Sequence, residues 1–283
     1  DDVVFDYFQE TAFPDQAIGR PVMGSAELIG NMPREAVLDY MNDHYAASNM
    51  ILTASGKVDH DAFVALGQEA FAGLASFTPE QRLPVKYVGG DFREQRELEQ
   101  VHVLLGLQGM SYSDDDFYAV SVLSTILGGG MSSRLFQEAR EKRGLVYAIQ
   151  SFHSFYADGG VFGVYAGTGE KEVGQLMPVI CDELRKICET VRDDEVARAR
   201  AQLKASLMMA LESTSSRAEQ LARQLMVFGR PLPIPEIIES VEAVDAASVM
   251  RVASRLLASN LTFTTLGPVS KIEDYDAITK RLA

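Results

Sequence analysis

The chain has 283 residues, enough for a domain and a half to two domains. Its hydrophobic fraction of 47% and its charged fraction of 23% are ordinary for a globular protein, and no run of apolar residues approaches the roughly 18 that a membrane span needs. The net charge of −14 argues against a nucleic-acid surface, which requires a basic face. An acidic surface suits solubility and could also favour basic peptides.

Helical patterns dominate the first part of the chain. Apolar spacing predicts helices over residues 1–12 and 35–45, and a third helix that the side chain of Asp59 caps. Residues 50–55 have the composition of a strand. Residues 76–93 contain two prolines and two glycines, which indicate an interdomain linker.

Strands and helices follow one another in the rest of the chain. The predicted strands are 101–107, 146–155, 161–168 and 261–266, and the predicted helices are 114–127, 172–191, 195–228 and 245–257. The first of these strands has the alternation of a half-buried strand. Strands in runs, separated by helical pairs, predict an α+β sandwich with helices on one face of the sheet.

The segment 128–147, GGGMSSRLFQEAREKRGLVY, combines a helix end, a short helix and the start of a strand. Its first residues are three glycines, Gly128, Gly129 and Gly130. Glycines permit the left-handed turn that closes a helix. Ser132 or Ser133 is expected to cap the next helix, and Gly144 to end that helix before the strand.

Arg140 lies in the last turn of this short helix and Tyr147 lies early in the strand, seven residues further on. Both side chains can reach one space across the intervening turn, where two hydrogen-bond donors could bind a peptide carbonyl or a developing oxyanion. The alternative is structural. Arg140 would then stabilise the helix C-terminus, where a cation is favoured, and Tyr147 would pack.

The two cysteines, Cys181 and Cys188, lie seven residues apart in a helical pattern. Two helical turns separate them by about 10.5 Å, too far for an unstrained disulfide. We expect buried free thiols, as in a reducing compartment.

The sequence also contains an internal repeat. Gly19-Arg20-Pro21 recurs as Gly229-Arg230-Pro231, an offset of 210, and Gly56 corresponds to Gly267 at an offset of 211. A loop, a helix, a strand and a glycine turn thus correspond between the two parts of the chain at nearly the same offset. This pattern suggests two copies of one fold. The first copy then lacks its counterpart of residues 91–211.

The segment 128–147 resembles the corresponding stretch in the second half of pitrilysin-type zinc metallopeptidases, the inverzincins. It is most similar to the active subunit of mitochondrial processing peptidase and its bacterial homologues. VVFDYFQETAFPDQAIGRPVMG, LKASLMMALESTSSRAEQLARQ and GRPLP also resemble segments of that family, in the same order. Pro33 is a departure, because relatives usually have a capping Ser or Thr there.

The resemblance covers essentially the whole chain and implies two homologous α/β sandwich-like units, the first one truncated. Residues 1–77 would be the C-terminal part of a first, metal-bearing domain, 78–93 a linker and 94–283 a complete second domain. In this family an Arg and a Tyr seven residues apart contribute to the active site from the second domain. Arg140 and Tyr147 match them, which implies catalytic and substrate-binding roles.

The resemblance implies zinc in the full-length parent, bound by an H-x-x-E-H motif that activates a water molecule. This chain has four histidines, and none stands in that pattern: His44, His60, His102 and His153. We interpret them as a helix-end residue, a residue of a first helical turn, a residue on the outer face of a strand and a hairpin residue. The chain alone is therefore expected to bind no catalytic zinc and to be inactive.

Two functions are compatible with these observations. The chain is the C-terminal portion of a zinc metalloendopeptidase that cleaves peptides or presequences held between two domains, or it is a non-catalytic partner or core scaffold subunit of the same fold. In the first case, Gly128, Gly129 and Gly130 leave room for the substrate or merely end a helix. The expected partners are a peptide and the missing N-terminal portion, without nucleic acid or membrane, and a homodimer or heterodimer is compatible. The expected location is the bacterial cytoplasm, with the mitochondrial matrix as the alternative.

Overall fold

The structure is a computed structural model that describes residues 2–77 and 83–283. The chain divides into two compact units. The larger unit comprises Asp1–Val22, Val85–Lys204 and Pro235–Ala283, and the smaller unit comprises Met23–Pro84 and Ala205–Ile234. The predicted domain boundaries remain a prediction, and residues 78–82 of the predicted linker lie outside the described residues.

A single five-stranded sheet forms the centre of the larger unit. Its strands are β1 (Gly90–Gln95), β2 (Val101–Gln108), β3 (Val146–Phe155), β4 (Gly160–Thr168) and β5 (Thr262–Gly267). They lie in the order β1-β5-β2-β4-β3, with β1 and β5 parallel and the other neighbours antiparallel. Strands β3 and β4 form the predicted hairpin, and β1 begins within the stretch assigned to the linker.

Helices make up much of the remaining chain. They are α1 (Asp2–Ala12), α2 (Ala26–Gly30), α3 (Arg34–His44), α4 (His60–Phe71), α5 (Phe117–Gly128), α6 (Val173–Glu189), α7 (Asp193–Ala210), α8 (Thr214–Phe228), α9 (Ile234–Glu242), α10 (Ala246–Leu257) and α11 (Tyr275–Leu282). Short 3₁₀ turns lie at Ala17–Gly19 and Ala47–Asn49, and a π-helical turn at Phe136–Glu141. None of the helices in the described part of the chain has the length and hydrophobicity to cross a bilayer.

Helices cover both faces of the sheet, so the prediction of helices on one face was wrong. Helices α5, α6 and α10 pack on one face, and α1 packs on the other through Val4, Phe8 and Ala12. A Cβ on Gly106 would lie 2.2 Å from the Phe8 ring, so α1 is seated directly on β2. Strand β2 is consequently buried from its first residue to Leu107. The prediction of a half-buried strand was wrong, because the helix that covers its second face lies about 90 residues earlier in the chain.

The long helix predicted over residues 195–228 is two helices, α7 and α8. The break falls between Ala210 and Thr214, and the side chain of Ser213 accepts a hydrogen bond from the Ser216 backbone N–H at 3.3 Å. The apolar spacing continues through the break, so periodicity alone could not locate it. The serine–threonine run provided the N-cap that starts the second helix.

The smaller unit contains no strand among its described residues. The strand predicted over 50–55 was wrong, because a strand needs a hydrogen-bonded neighbour and this segment has none there. Asp59 caps α4 as predicted, accepting the Ala62 backbone N–H at 2.9 Å. Ala46 is the one buried residue in the described part of this unit. A second sandwich-like unit is therefore not seen in the described residues, and the internal repeat remains a prediction.

Cys181 and Cys188 are free thiols on α6, as the spacing predicted, but Cys188 is only half-buried. Cys181 is buried, and burial raises the pKa of its thiol to about 12. The thiol is therefore protonated at neutral pH and is a core residue rather than a reactive nucleophile.

Candidate functional site

The triple glycine closes α5 against the sheet. Gly128 is the last residue of α5, and a Cβ there would lie 2.2 Å from the backbone nitrogen of Ser151 on β3. Gly130 has φ of +150°, a conformation that side chains rarely permit. The carbonyl of Gly129 accepts a hydrogen bond from the Gln202 side chain of α7 at 2.7 Å. The glycines thus place the next segment close to both β3 and α7.

The short helix after the glycines begins at Arg134, whose guanidinium forms a fork with Glu195. Nε donates to Oε1 at 2.8 Å and Nη2 donates to Oε2 at 2.7 Å, and Nη2 also donates to the Thr190 carbonyl at 2.7 Å. The two side chains are 13% and 3% exposed. Burial would raise the pKa of Glu195, but the hydrogen bonds from Arg134 and from the Arg192 backbone hold it below its ordinary value. This buried pair was not predicted.

One signal for that pair was present in the sequence. A cation in the first turn of a helix is opposed by the positive end of the helix dipole, so an arginine at that position indicates a specific acidic partner. The identity of the partner was not predictable, because Glu195 lies 61 residues further along the chain.

The helix has a π-helical turn, Phe136–Glu141, in which the Lys142 N–H donates to the Gln137 carbonyl at 3.0 Å. π-Helical turns occur often at functional sites. Leu135 and Ala139 are buried in the core. Arg140 is exposed and its guanidinium lies 5.0 Å from the centre of the Phe136 ring.

The neighbouring cations of this helix are all paired. Lys142 and Arg143 bind Glu138, each at 2.5 Å, and Arg134 binds Glu195. Arg140 makes no ion pair with the described residues. Its five donors are therefore free to bind an external oxygen.

Gly144 ends the helix as predicted. It has φ of +62°, and its N–H donates to the Arg140 carbonyl at 3.0 Å. Tyr147 follows at a β-bulge in β3, between Val146 and Ala148, and is 62% exposed. A bulge adds one unpaired residue to a strand and redirects its side chain. Arg140 and Tyr147 thus flank the Gly144 turn, both exposed and both at irregular backbone positions.

The predicted serine cap is absent. The Ser133 hydroxyl is buried and makes no hydrogen bond in the described structure, and only its backbone carbonyl accepts, from the Gln137 N–H at 3.0 Å. The prediction was wrong, because this hydroxyl accepts none of the free N–H groups in the first turn of the helix.

The histidines lie in four separate elements. His44 ends α3, His60 begins α4 and His153 lies in the β3–β4 hairpin, as predicted. His102, predicted on an outer face, is buried and its Nδ1 lies 2.9 Å from the Tyr165 hydroxyl. The described residues bring together no group of three or more His, Cys, Asp or Glu side chains that could hold a metal ion. They do not fit zinc, and no catalytic step is assigned to a metal within them.

Comparison with known proteins places these features in a family. Residues 31–203 match the family described as Peptidase M16 inactive domain. A protein named as an uncharacterized zinc protease of Rickettsia felis is 35% identical over 269 residues, which are 95% of this chain and 65% of that protein. A protein of the same name from Rickettsia bellii is 36% identical over the same shares. The chain belongs to the M16 peptidase family, and it spans just under two thirds of the length of these relatives.

A further relative and a solved structure are also similar to this chain. A probable mitochondrial-processing peptidase subunit beta of Arabidopsis thaliana is 32% identical over 297 residues, covering 99% of this chain and 56% of that protein. A chain of complex III from Candida albicans has a TM-score of 0.91 at 21% identity, over 99% of this chain and 70% of its own length. The structural match establishes the fold only.

Proposed function

We propose that this chain is the substrate-binding, C-terminal portion of a zinc metalloendopeptidase, in which Arg140 and Tyr147 hold the backbone of a peptide. The single observation that carries the proposal is the pairing pattern of the cations at positions 134–143. Arg134, Lys142 and Arg143 each have a carboxylate partner, whereas Arg140 has none among the described residues. An exposed arginine left unpaired in such a segment is well suited to an external ligand.

The chemistry of the two side chains fits a peptide carbonyl. A guanidinium and a phenol can both donate hydrogen bonds to an oxygen atom that lies between them. Such donors stabilise an oxyanion more strongly than a neutral carbonyl. Tyr147 is the second residue of β3, which lies at the edge of the sheet with no strand on its outer side among the described residues. An extended peptide beside this edge would present its carbonyls at regular intervals.

The glycines have unequal parts in this proposal. Gly128 already has a structural role, since its missing Cβ admits the backbone of Ser151. Gly130 has more open surroundings, with only the Gln202 side chain at 3.8 Å from the position of a Cβ. A Cβ on Gly129 would lie 2.6 Å from the Cα of Thr125, so Gly129 also has a structural role. We therefore place the proposed room for substrate at Gly130, with Gly128 and Gly129 supporting it.

The metal of the proposed enzyme would lie outside this chain. The Rickettsia relatives are named zinc proteases and extend beyond the part that matches. The missing part of the polypeptide would then be the main partner of this chain, together with the peptide. A homodimer or heterodimer is compatible with this arrangement.

The test uses the full-length protein and an internally quenched peptide. Arg140→Ala should lower kcat/KM about 100-fold, the usual effect of losing one oxyanion donor, and Tyr147→Phe should lower it about tenfold. Arg143→Ala is the matched control, because Arg143 lies in the same turn but is paired with Glu138. It should change kcat/KM less than about twofold. Unchanged turnover in a folded Arg140→Ala variant would overturn the proposal.

That outcome would favour the second candidate, a non-catalytic partner or core scaffold subunit. Its supporting observations are the match to a domain described as inactive and the high structural similarity to a chain of complex III. If the chain is a scaffold subunit, Arg140 and Tyr147 can both be replaced without loss of function. Stable association with another subunit would then be the activity to measure.

A further inference from the structure

The helix that carries Arg140 is short and weakly held by its own backbone. Only residues 134–141 are helical, and most of them lie in the π-helical turn. Helices of this length are marginal in isolation, so their placement depends on tertiary contacts. Leu135 and Ala139 anchor its apolar side. The polar anchor at its N-terminal end is the fork between Arg134 and Glu195.

We propose that Glu195 is a positioning residue for Arg140 and acts through Arg134; this inference rests on the proposed function. Both carboxylate oxygens of Glu195 are occupied by Arg134, and Oε2 also accepts the Arg192 backbone N–H at 3.0 Å. A bidentate, buried fork fixes the orientation as well as the distance of the arginine. Arg140 follows about 9 Å along the helix at 1.5 Å per residue.

Helix α7 holds the segment at a second point. Gln202, two turns beyond Glu195 on the same helix, donates to the carbonyl of Gly129. Glu195 and Gln202 therefore bind the two ends of the stretch 129–134, which leads directly into the helix of Arg140. A tilt of this stretch would move the guanidinium, and displacements of about 1 Å at a reacting centre can reduce the rate about 100-fold.

The ion pair between Arg134 and Glu195 contributes the position of the segment rather than the stability of its helix. Arg134 stands in the first turn of its helix, where the dipole disfavours a cation. Buried ion pairs often add little net stability relative to apolar residues of the same size. The pair between Arg134 and Glu195 is therefore better explained by the orientation that it imposes than by stability.

The test is a double-mutant cycle in the full-length protein with the same quenched peptide. Glu195→Gln should lower kcat/KM about tenfold when Arg140 is present and should have no effect in an Arg140→Ala background. Asp194→Asn is the control, because Asp194 lies in the same turn of α7 and its pair with Arg192 is exposed. It should leave kcat/KM unchanged.

Arg134→Lys serves as the second variant if Glu195→Gln does not fold, because it keeps the charge and loses the fork. It should show the same dependence on Arg140. An equal loss with and without Arg140, or no loss in either background, would overturn the positioning role. If Arg140→Ala alone leaves turnover unchanged, the proposed function itself fails. The cycle includes this single variant, so it distinguishes that outcome from failure of the positioning role.

Discussion

Gly128 and Ser151 are in contact at a separation that no side chain would allow. A Cβ on Gly128 would lie 2.2 Å from the Ser151 backbone nitrogen and 2.8 Å from its Oγ. The Ser151 hydroxyl donates to the Ser124 carbonyl at 2.7 Å, so the last turn of α5 is bonded to β3 as well as packed on it. The end of α5 and the start of the candidate site are fixed by this contact.

Gly128→Ala should therefore destabilise the protein by about 1–3 kcal/mol, because the added methyl group must push α5 away from the backbone of β3. The measurement is the free energy of unfolding from urea titration. Gly30→Ala is the matched control: Gly30 is also the last residue of a helix, and its Cβ would meet nothing within 4 Å. Equal stability of the two variants would contradict the contact.

Much of the larger unit could be predicted from local signals. The strands of the β3–β4 hairpin followed from two strand-like runs, and α10 coincides with the helix predicted over residues 245–257. In the structure Asp245 caps α10 by accepting the Ser248 N–H at 2.7 Å. Signals of this kind involve residues close in sequence. The burial of β2 on both faces could not be predicted, because it depends on α1, which lies far from it in the chain.

The candidate site shows the same limit. The seven-residue spacing of Arg140 and Tyr147 placed them on either side of Gly144, and the structure agrees. The π-helical turn and the β-bulge that redirect them have no sequence signature of comparable strength. The fork between Arg134 and Glu195 joins segments 61 residues apart, so only the fold reveals it.

Substitutions at Gly144 can separate the cost of backbone strain from the cost of a steric clash. Its φ of +62° lies in the left-handed region, and a Cβ there would meet nothing within 4 Å. Gly144→Ala should cost about 1–2 kcal/mol of unfolding free energy through strain alone. Gly144→Asn should cost less, because asparagine tolerates this conformation better. A smaller loss for alanine than for asparagine would contradict this explanation.

We expect protonation of Asp114 to cause part of the protein's loss of stability in acid. The hydrogen bond from Arg255 holds the pKa of Asp114 below its usual range. Because the folded pKa is lowered, the pair stabilises the protein above the unfolded pKa of about 3.9 and the contribution is lost as the pH falls through the folded pKa. Asp114→Asn should therefore lower stability at neutral pH and flatten its decline below about pH 4. Unfolding titrations at several pH values would show a parallel decline if this is wrong.

We expect His153 to cause a second loss of stability on acidification, which begins at a higher pH than the loss from Asp114. Burial lowers the pKa of its imidazole, its Nδ1 has no hydrogen-bond partner in the described structure, and its Nε2 lies 3.5 Å from the Ser121 hydroxyl. The unfolded chain binds a proton near pH 6.5 while the folded chain does not, so stability falls as the pH drops below about 6.5. His153→Gln should reduce the difference in unfolding free energy between pH 7 and pH 5. His60→Gln, at an exposed position in α4, is the control and should preserve that difference. If both variants retain the full difference, another group is responsible for this pH dependence.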